Sequence, residues 1–317
     1  MISNRSSLIL AALVLWSALE LQAQTVVSTP IVGFANYNLS AGQYVFSPTF
    51  LKPQFAQGNA VITGQNLPAS GLSASSLVPT SHTDGRPNYP TAYVEILSGT
   101  YAGVAFDIVA ASSSGVTAAF PADLNGISVS YVIRPHITLA DVIKADSGFA
   151  EYSDVISVYN SDGSISLRYL AGGVITTDDF ATEAGHTPVY PGTGVILNLG
   201  AQVALKVSGQ VKMTSTKVPV YPSINNIVGT MNPSSDLKLT DSSFATSLAP
   251  YADSAVVYSN DGSFSLSTIV FSDGASVTDD NFNPFSSATS PVLPSGTGAI
   301  INVASGGYVE LASPVTP

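Results

Sequence analysis

Two stretches of this chain, residues 152–209 and 251–314, are divergent copies of one pattern, so any fold must satisfy both with the same local rules. Tyr152, Asp154 and Tyr159 recur as Tyr251, Asp253 and Tyr258, each 99 residues later. The turn Asn160-Ser161-Asp162-Gly163-Ser164 recurs as Ser259-Asn260-Asp261-Gly262-Ser263 at the same shift. Thr177-Asp178-Asp179 matches Thr278-Asp279-Asp280 at a shift of 101, and Gly192-Thr193-Gly194 matches Gly296-Thr297-Gly298 at 104. The shift grows only between motifs, as it does when surface loops absorb insertions while paired strands hold their register. A unit of about 90–100 residues exceeds the solenoid periods and suits a small β domain.

Outside residues 139–149, where Asp141 and Gly148 could cap and stop a helical turn or two, the apolar pattern has period two or runs in short blocks between Gly, Pro, Asn and Asp. This predicts an all-β protein of short antiparallel strands in sandwich or barrel-like modules, with a duplicated C-terminal module. Four segments are expected: a signal peptide at 1–23, an N-terminal β part at 24–131, a first β repeat at 132–226 and a second at 227–317. Residues 212–226 read as a connector, and 68–90 as a long loop suited to binding.

Arg5 followed by the apolar run 8–16 and the small-residue site Leu21-Gln22-Ala23 predicts a cleaved secretory signal, because nine apolar residues are too few to span a bilayer. No membrane span is expected once it is removed. The chain contains no cysteine, so no disulfide framework is available, and an exported bacterial protein of the envelope or extracellular space is expected. The net charge of -11 opposes binding to phosphate backbones, which excludes nucleic acid as a partner class.

The paired Asp-Gly turns fit hairpins, where Asp caps the backbone and Gly supplies positive φ. Their alternating oxygens also make Asp162 and Asp261 calcium candidates, together with the pairs Asp178-Asp179 and Asp279-Asp280, although a bidentate acid at the end of the loop is missing. No other cofactor is expected. The Gly-Thr-Gly turns lead into strands and lack a following lysine, so they are not phosphate loops. Three histidines, His82, His136 and His186, stand apart without metal spacing and read as surface or strand residues. Tyr89, Tyr93 and Tyr101 cluster near the end of the long loop and are candidates for a ligand-binding patch.

The segments Ser28-Thr29-Pro30-Ile31-Val32-Gly33-Phe34, Leu39-Ser40-Ala41-Gly42, Phe50-Leu51-Lys52-Pro53, Tyr93-Val94-Glu95-Ile96, Arg134-Pro135-His136-Ile137, Pro191-Gly192-Thr193-Gly194 and Ile227-Val228-Gly229 ahead of Leu237 occur in an order that spans nearly the whole chain beyond residue 23. This order resembles an uncharacterised paralogous family of secreted proteins expanded in verrucomicrobial bacteria. The resemblance implies export and many paralogues, and it carries no activity or catalytic residue with it. The expectation is an exported, non-enzymatic β protein with a structural, adhesive or interaction role at the bacterial cell surface or outside the cell. Its partners would be other envelope or extracellular proteins, itself, or glycans. The alternative is a carbohydrate-binding module using the tyrosines near 68–101. A hydrolase using Glu95 and Asp107, and an outer-membrane barrel, are less favoured. A defined site is expected in the unduplicated part or on a surface made by both repeats.

Overall fold

The computed structural model describes residues 30–78 and 88–313, so the expected signal peptide and His82 lie outside the described residues. The chain is nearly all β. Strands β1 (Val32–Leu39) and β2 (Gly42–Phe46) are followed by β3 (Ala56–Val61), β4 (Asn66–Pro68), β5 (Ala92–Ile96), β6 (Ala105–Ser112), β7 (Gly115–Ala118) and β8 (Ser128–Pro135). The last six form one antiparallel sheet in the order β3-β8-β5-β6-β7-β4. Its edges β3 and β4 meet at the bridge between Thr63 and Asn66, which nearly closes a barrel around Ile62, Leu67, Val94, Ile96, Ile108, Val116 and Ile133. Near closure removes the exposed edges that an open sheet would present.

After the barrel come β9 (Ile137–Thr138), the four-residue helix α1 (Leu139–Val142), β10 (Val155–Tyr159), β11 (Ile165–Ala171), β12 (Val174–Thr176), β13 (Pro188–Val189), β14 (Val195–Leu199) and β15 (Val203–Gln210). Here the chain returns to its start. β15 pairs with β1 from Val203↔Leu39 to Gln210↔Val32, and β14 pairs with β2. The resulting sheet runs β2-β14-β10-β11-β12, with β1-β15 and β9-β13 as two-stranded ribbons. The rest of the chain supplies β16 (Thr216–Val220), β17 (Asn225–Gly229), β18 (Leu237–Lys238), the helix α2 (Phe244–Ser247), β19 (Ser254–Tyr258), β20 (Leu266–Ser272), β21 (Val277–Thr278), β22 (Val292–Leu293), β23 (Gly298–Asn302) and β24 (Gly307–Leu311). These strands repeat the topology: a sheet β17-β23-β19-β20-β21 with ribbons β16-β24 and β18-β22.

Two modules of one topology therefore follow each other, and the barrel is inserted between β2 and β9 of the first. The pairings cut across two boundaries expected from the sequence. Strands β1 and β2 pair with β15 and β14 rather than with the remainder of 24–131, and 212–226 carries β16 and the start of β17 rather than a free connector. The strong similarity between the copies begins at Tyr152 and Tyr251, after a weaker echo of 137–141 in 238–241, whereas β1-β2 and β16-β17 are assigned to their modules by pairing alone.

Local rules explain the shared scaffold. Along β15, residues Val203, Leu205 and Val207 are buried while Lys206 and Ser208 are exposed, the alternation of a strand with one face on a core. The expected helical turn is α1, whose start is held by the Asp141 carboxylate accepting from the Thr138 N–H and hydroxyl, both at 2.8 Å. Gly148, at φ 86, ends the following turn of 3-10 helix. The recurring Asp154 and Asp253 are buried staples. Asp154 accepts from the backbone N–H groups of Ala150 and Gly200, and Asp253 from those of Ala249 and Ala304, at 2.7–2.8 Å. A buried carboxylate is tolerated when such donors satisfy it.

The two modules pack reciprocally. Val45 and Ile196 of the first meet Ile227 and Ile300 of the second in a small core flanked by Tyr159 and Tyr258. The Ser47 N–H donates to the Gly296 carbonyl and the Gly229 N–H to the Gly192 carbonyl, both at 2.8 Å. Each Gly-Thr-Gly turn thus abuts the other module. A Cβ on Gly192 would lie 2.5 Å from Val218 Cγ2, and one on Gly296 would lie 2.2 Å from the Tyr37 ring. The Asp-Gly turns do the same, with Gly163 against Ile224 and Gly262 against Gly42 and Tyr44.

Gly192 (φ +77) and Gly126 (φ +80) both occupy the left-handed region, but open space surrounds Gly126. In urea unfolding, Gly126→Ala should cost roughly 1–2 kcal/mol from backbone strain and Gly192→Ala roughly 3 kcal/mol, because overpacking of the interface is added. Equal costs would show that the module interface yields freely.

Candidate binding cleft

Where the barrel meets both modules the chain leaves a cleft of about 620 Å3, within the roughly 300–1,000 Å3 of small-ligand sites. One wall is the barrel face of β5 and β6, with Glu95, Asp107 and Val109. The second is the first module's turn Tyr159-Asn160-Ser161 together with Tyr190, Pro191 and Thr193. The third is β16 and the loop into β17, with Thr216, Lys217, Tyr221 and Asn225. The cleft is thus walled by the unduplicated part and by both repeats. Both kinds of recurring turn reach it, but only in their first-module copies.

Strand register sets the polar floor. Tyr93 lies opposite Asp107 in the β5–β6 pairing, and Glu95 is two residues along on the same face. His136, in the peptide between β8 and β9, is buried, and its Nε2 bonds Asp107 Oδ1 at 2.9 Å. The Tyr190 hydroxyl donates to the other carboxylate oxygen at 2.7 Å, and the rings of Tyr93 and Tyr190 each sit 4.8 Å from the imidazole. Asp107 therefore ties the barrel to the first module with both oxygens engaged. Beside it Glu95 forms a buried ion pair with Lys212, and the Thr214 hydroxyl donates to the same carboxylate oxygen at 3.1 Å. A third tie runs from Arg134 Nη1 to Gln210 Oε1 at 2.6 Å and to the Lys52 carbonyl at 3.1 Å.

The electrostatics follow from burial. Desolvation pushes the Lys212 ammonium down, and Glu95 opposes it. Burial raises Tyr190 well above the usual phenol range, and the Asp107 charge adds to this. Burial also raises Tyr221, with smaller contributions from Tyr308 and Asp107. Both phenols stay protonated donors throughout the neutral range. Asn226 holds the Tyr221 loop: its Oδ1 accepts from the Tyr221 N–H at 2.8 Å, and its amide N–H group donates to the carbonyls of Tyr221, Ile224 and Ile301.

The three tyrosines grouped by the sequence do not form one patch. Tyr89 lines the cleft and accepts from Arg168 Nη2 at 3.0 Å, and Tyr93 is buried beneath it. Tyr101 turns elsewhere, donating to Asp123 at 3.1 Å and packing on Phe106. Glu95 and Asp107 do share a face, yet Asp107 gives one oxygen to His136 and the other to Tyr190, and Glu95 is paired through Oε1 with Lys212. His136 is neither a surface nor a strand residue, because it is sealed between two tyrosines. His186 is exposed beside Glu183. Sequence reasoning missed Tyr190, Thr216, Lys212 and Tyr221. Of these only Tyr190 carried a signal, its place directly before Pro191-Gly192-Thr193-Gly194.

Five of the six calcium candidates accept hydrogen bonds within their own turns. Asp162 Oδ1 accepts from the Ser164 N–H and hydroxyl, and Asp261 does the same with Ser263. Asp179 accepts from the hydroxyls of Thr177 and Thr182 and from two backbone N–H groups, which hold it well below the usual carboxylate range. Asp279 accepts from the N–H groups of Asn281 and Asn283, Asp280 accepts from the Asn281 side-chain amide, and Asp178 is exposed. Among the described residues no group of three or more His, Cys, Asp or Glu could hold a metal ion.

Each module also carries an aromatic triad, Tyr152-Phe180-Tyr169 in the first and Tyr251-Phe282-Phe271 in the second. Tyr152, Phe180, Tyr251 and Phe282 all have φ between 56 and 60°, a conformation unusual for aromatic residues. Edge contacts between the rings, at centroid distances of 4.8–5.5 Å, accompany that strain.

A scan against protein-family models finds none that matches the chain, and searches of curated proteins and of solved structures return no match.

Two expected outcomes test this electrostatic picture. Removing one partner of the buried pair, as in Lys212→Ala, should cost roughly 3–5 kcal/mol in denaturant unfolding, whereas Glu95→Leu with Lys212→Met should be near neutral. The Ser263 hydroxyl and N–H hold Asp261 down from 3.8 to about 2. Its contribution is complete above about pH 4 and is lost as the pH falls through about 2. The Asp261→Ala variant should therefore lose less stability than the parent over that window, as followed by thermal melts.

Proposed function

We propose that this is an exported, non-catalytic β protein that acts by binding, with a structural, adhesive or interaction role at the cell surface or outside the cell. The observation that carries the reading is the state of the cleft's reactive groups. Asp107 gives one oxygen to His136 and the other to Tyr190, and Glu95 is paired with Lys212. General acid–base work requires a group free to exchange a proton with substrate. What remains along the walls is aromatic, amide and hydroxyl surface, the inventory of a binding site. Export is supported by the basic and apolar start of the chain and by the resemblance to a secreted family. An acidic chain with few charged residues and a surface of neutral polar side chains fits the same setting.

Fractionation of the native culture should place the protein in the envelope or extracellular fraction, and the purified protein should be retained on that material. Val109 is an exposed cleft residue, so Val109→Arg should weaken retention at least tenfold while the melting curve stays within a few degrees of the parent. Recovery in the cytoplasm, or retention indifferent to Val109→Arg, would overturn the reading.

A further inference from the structure

The cleft's lining narrows the class of ligand it can take. Three of its residues are charged: Glu95, Asp107 and Lys217. The first two are committed as described, and Lys217 Nζ donates to the Thr100 carbonyl at 2.7 Å. Lys217 is thus a lining charge without a counter-charge, its ammonium bonded to a backbone carbonyl, and the net charge of -11 repels the anions it could attract. The rest of the polar lining is neutral, and Arg168 and Asp107 hold the hydroxyls of Tyr89 and Tyr190, which leaves their ring faces. Four tyrosines drawn from three parts of the fold line the space: Tyr89 beside the barrel, Tyr159 and Tyr190 from the first module, and Tyr221 from the second. Asn225 is an exposed amide at the rim. Thr216 points to a missing partner: its residue is 2% exposed, it lines the cleft, and its hydroxyl oxygen has no hydrogen-bond partner. A buried hydroxyl without a partner is costly, and a ligand hydroxyl would satisfy it.

From this we infer that the cleft binds a neutral oligosaccharide, an inference that rests on the binding role proposed above. Sugar rings present C–H faces that stack on tyrosine and hydroxyls that exchange hydrogen bonds with amides, threonine and phenol groups. The Tyr221 loop is already braced by Asn226, so little ordering is required on binding.

The test uses the intact protein against an array of neutral, acidic and amino glycans, followed by calorimetry with a soluble neutral tetrasaccharide chosen from the hits. A set of proline-rich peptides serves as the competing class, because tyrosine-lined grooves also take such peptides. Binding of neutral glycans is expected, insensitive to salt. Tyr221→Ala should weaken it at least tenfold and Thr216→Val several-fold, while Tyr101→Ala, on a tyrosine outside the cleft, should leave it unchanged. Each variant is admitted only if its melting curve matches the parent. Glycan binding that ignores Tyr221→Ala and Thr216→Val overturns the assignment, as does binding confined to charged glycans or to the peptides. If the array is blank while retention on envelope material still depends on Val109, the ligand class is wrong and the binding role stands. If retention is also independent of Val109, both fall.

Discussion

The rest of the architecture depends on the reciprocal packing of the two modules. Each lends a turn and a hairpin to the other, so the small core of Val45, Ile196, Ile227 and Ile300 is closed from both sides by equivalent contacts. Such contacts are self-complementary, in the way of a twofold interface between identical subunits, but here one chain supplies both halves. This explains why the copies keep their glycines. Gly163, Gly192, Gly262 and Gly296 stand where the other module's atoms leave no room for a Cβ. The repeated turns are interface elements as much as hairpin connectors.

The barrel departs from that symmetry. It enters between β2 and β9, where the second module has only a short loop between β17 and β18. Polar ties hold it to the body: Asp107 with His136 and Tyr190, Glu95 with Lys212, and Arg134 with Gln210. Buried polar contacts of this kind add less stability than apolar packing would, but they fix one orientation because any other leaves charges unpaired. The cleft results from that orientation. Its walls come from three separate stretches of the chain, 89–119, 158–195 and 216–227, and its tyrosines converge because the barrel is held to the body there by polar ties.

Much of the scaffold was legible from local signals. Period-two runs such as 203–207 form strands, and the Asp-Gly turns stand where Asp can cap and Gly can take positive φ, whereas Asp141 braces a helix capped by Thr138 from within it and Gly148 ends a second, separate turn. The recurring Asp154 and Asp253 were visible as shared residues, although their role as buried staples was not. The site was much less legible. Tyr89 lines the cleft, but its sequence neighbours Tyr93 and Tyr101 do not: strand register buries Tyr93, and the turn between β5 and β6 carries Tyr101 to Asp123. Lys212 and Thr216 fell in a stretch read as connector because short strands rich in Thr, Ser and Pro resemble a linker until a partner strand is known.

The sequence by itself determined the β class, the turns and the recurrence of motifs between residues 152–209 and 251–314, because side-chain alternation, capping and positive φ are properties of neighbouring residues. Only the tertiary structure decided that β1 and β2 belong to the first module, that the barrel is an insertion, and that Asp107, His136, Tyr190 and Tyr221 share one place. Those facts depend on pairing between residues far apart along the chain. Hydrogen bonding between antiparallel strands uses backbone groups common to all residues but proline, so the partners carry no local mark of each other.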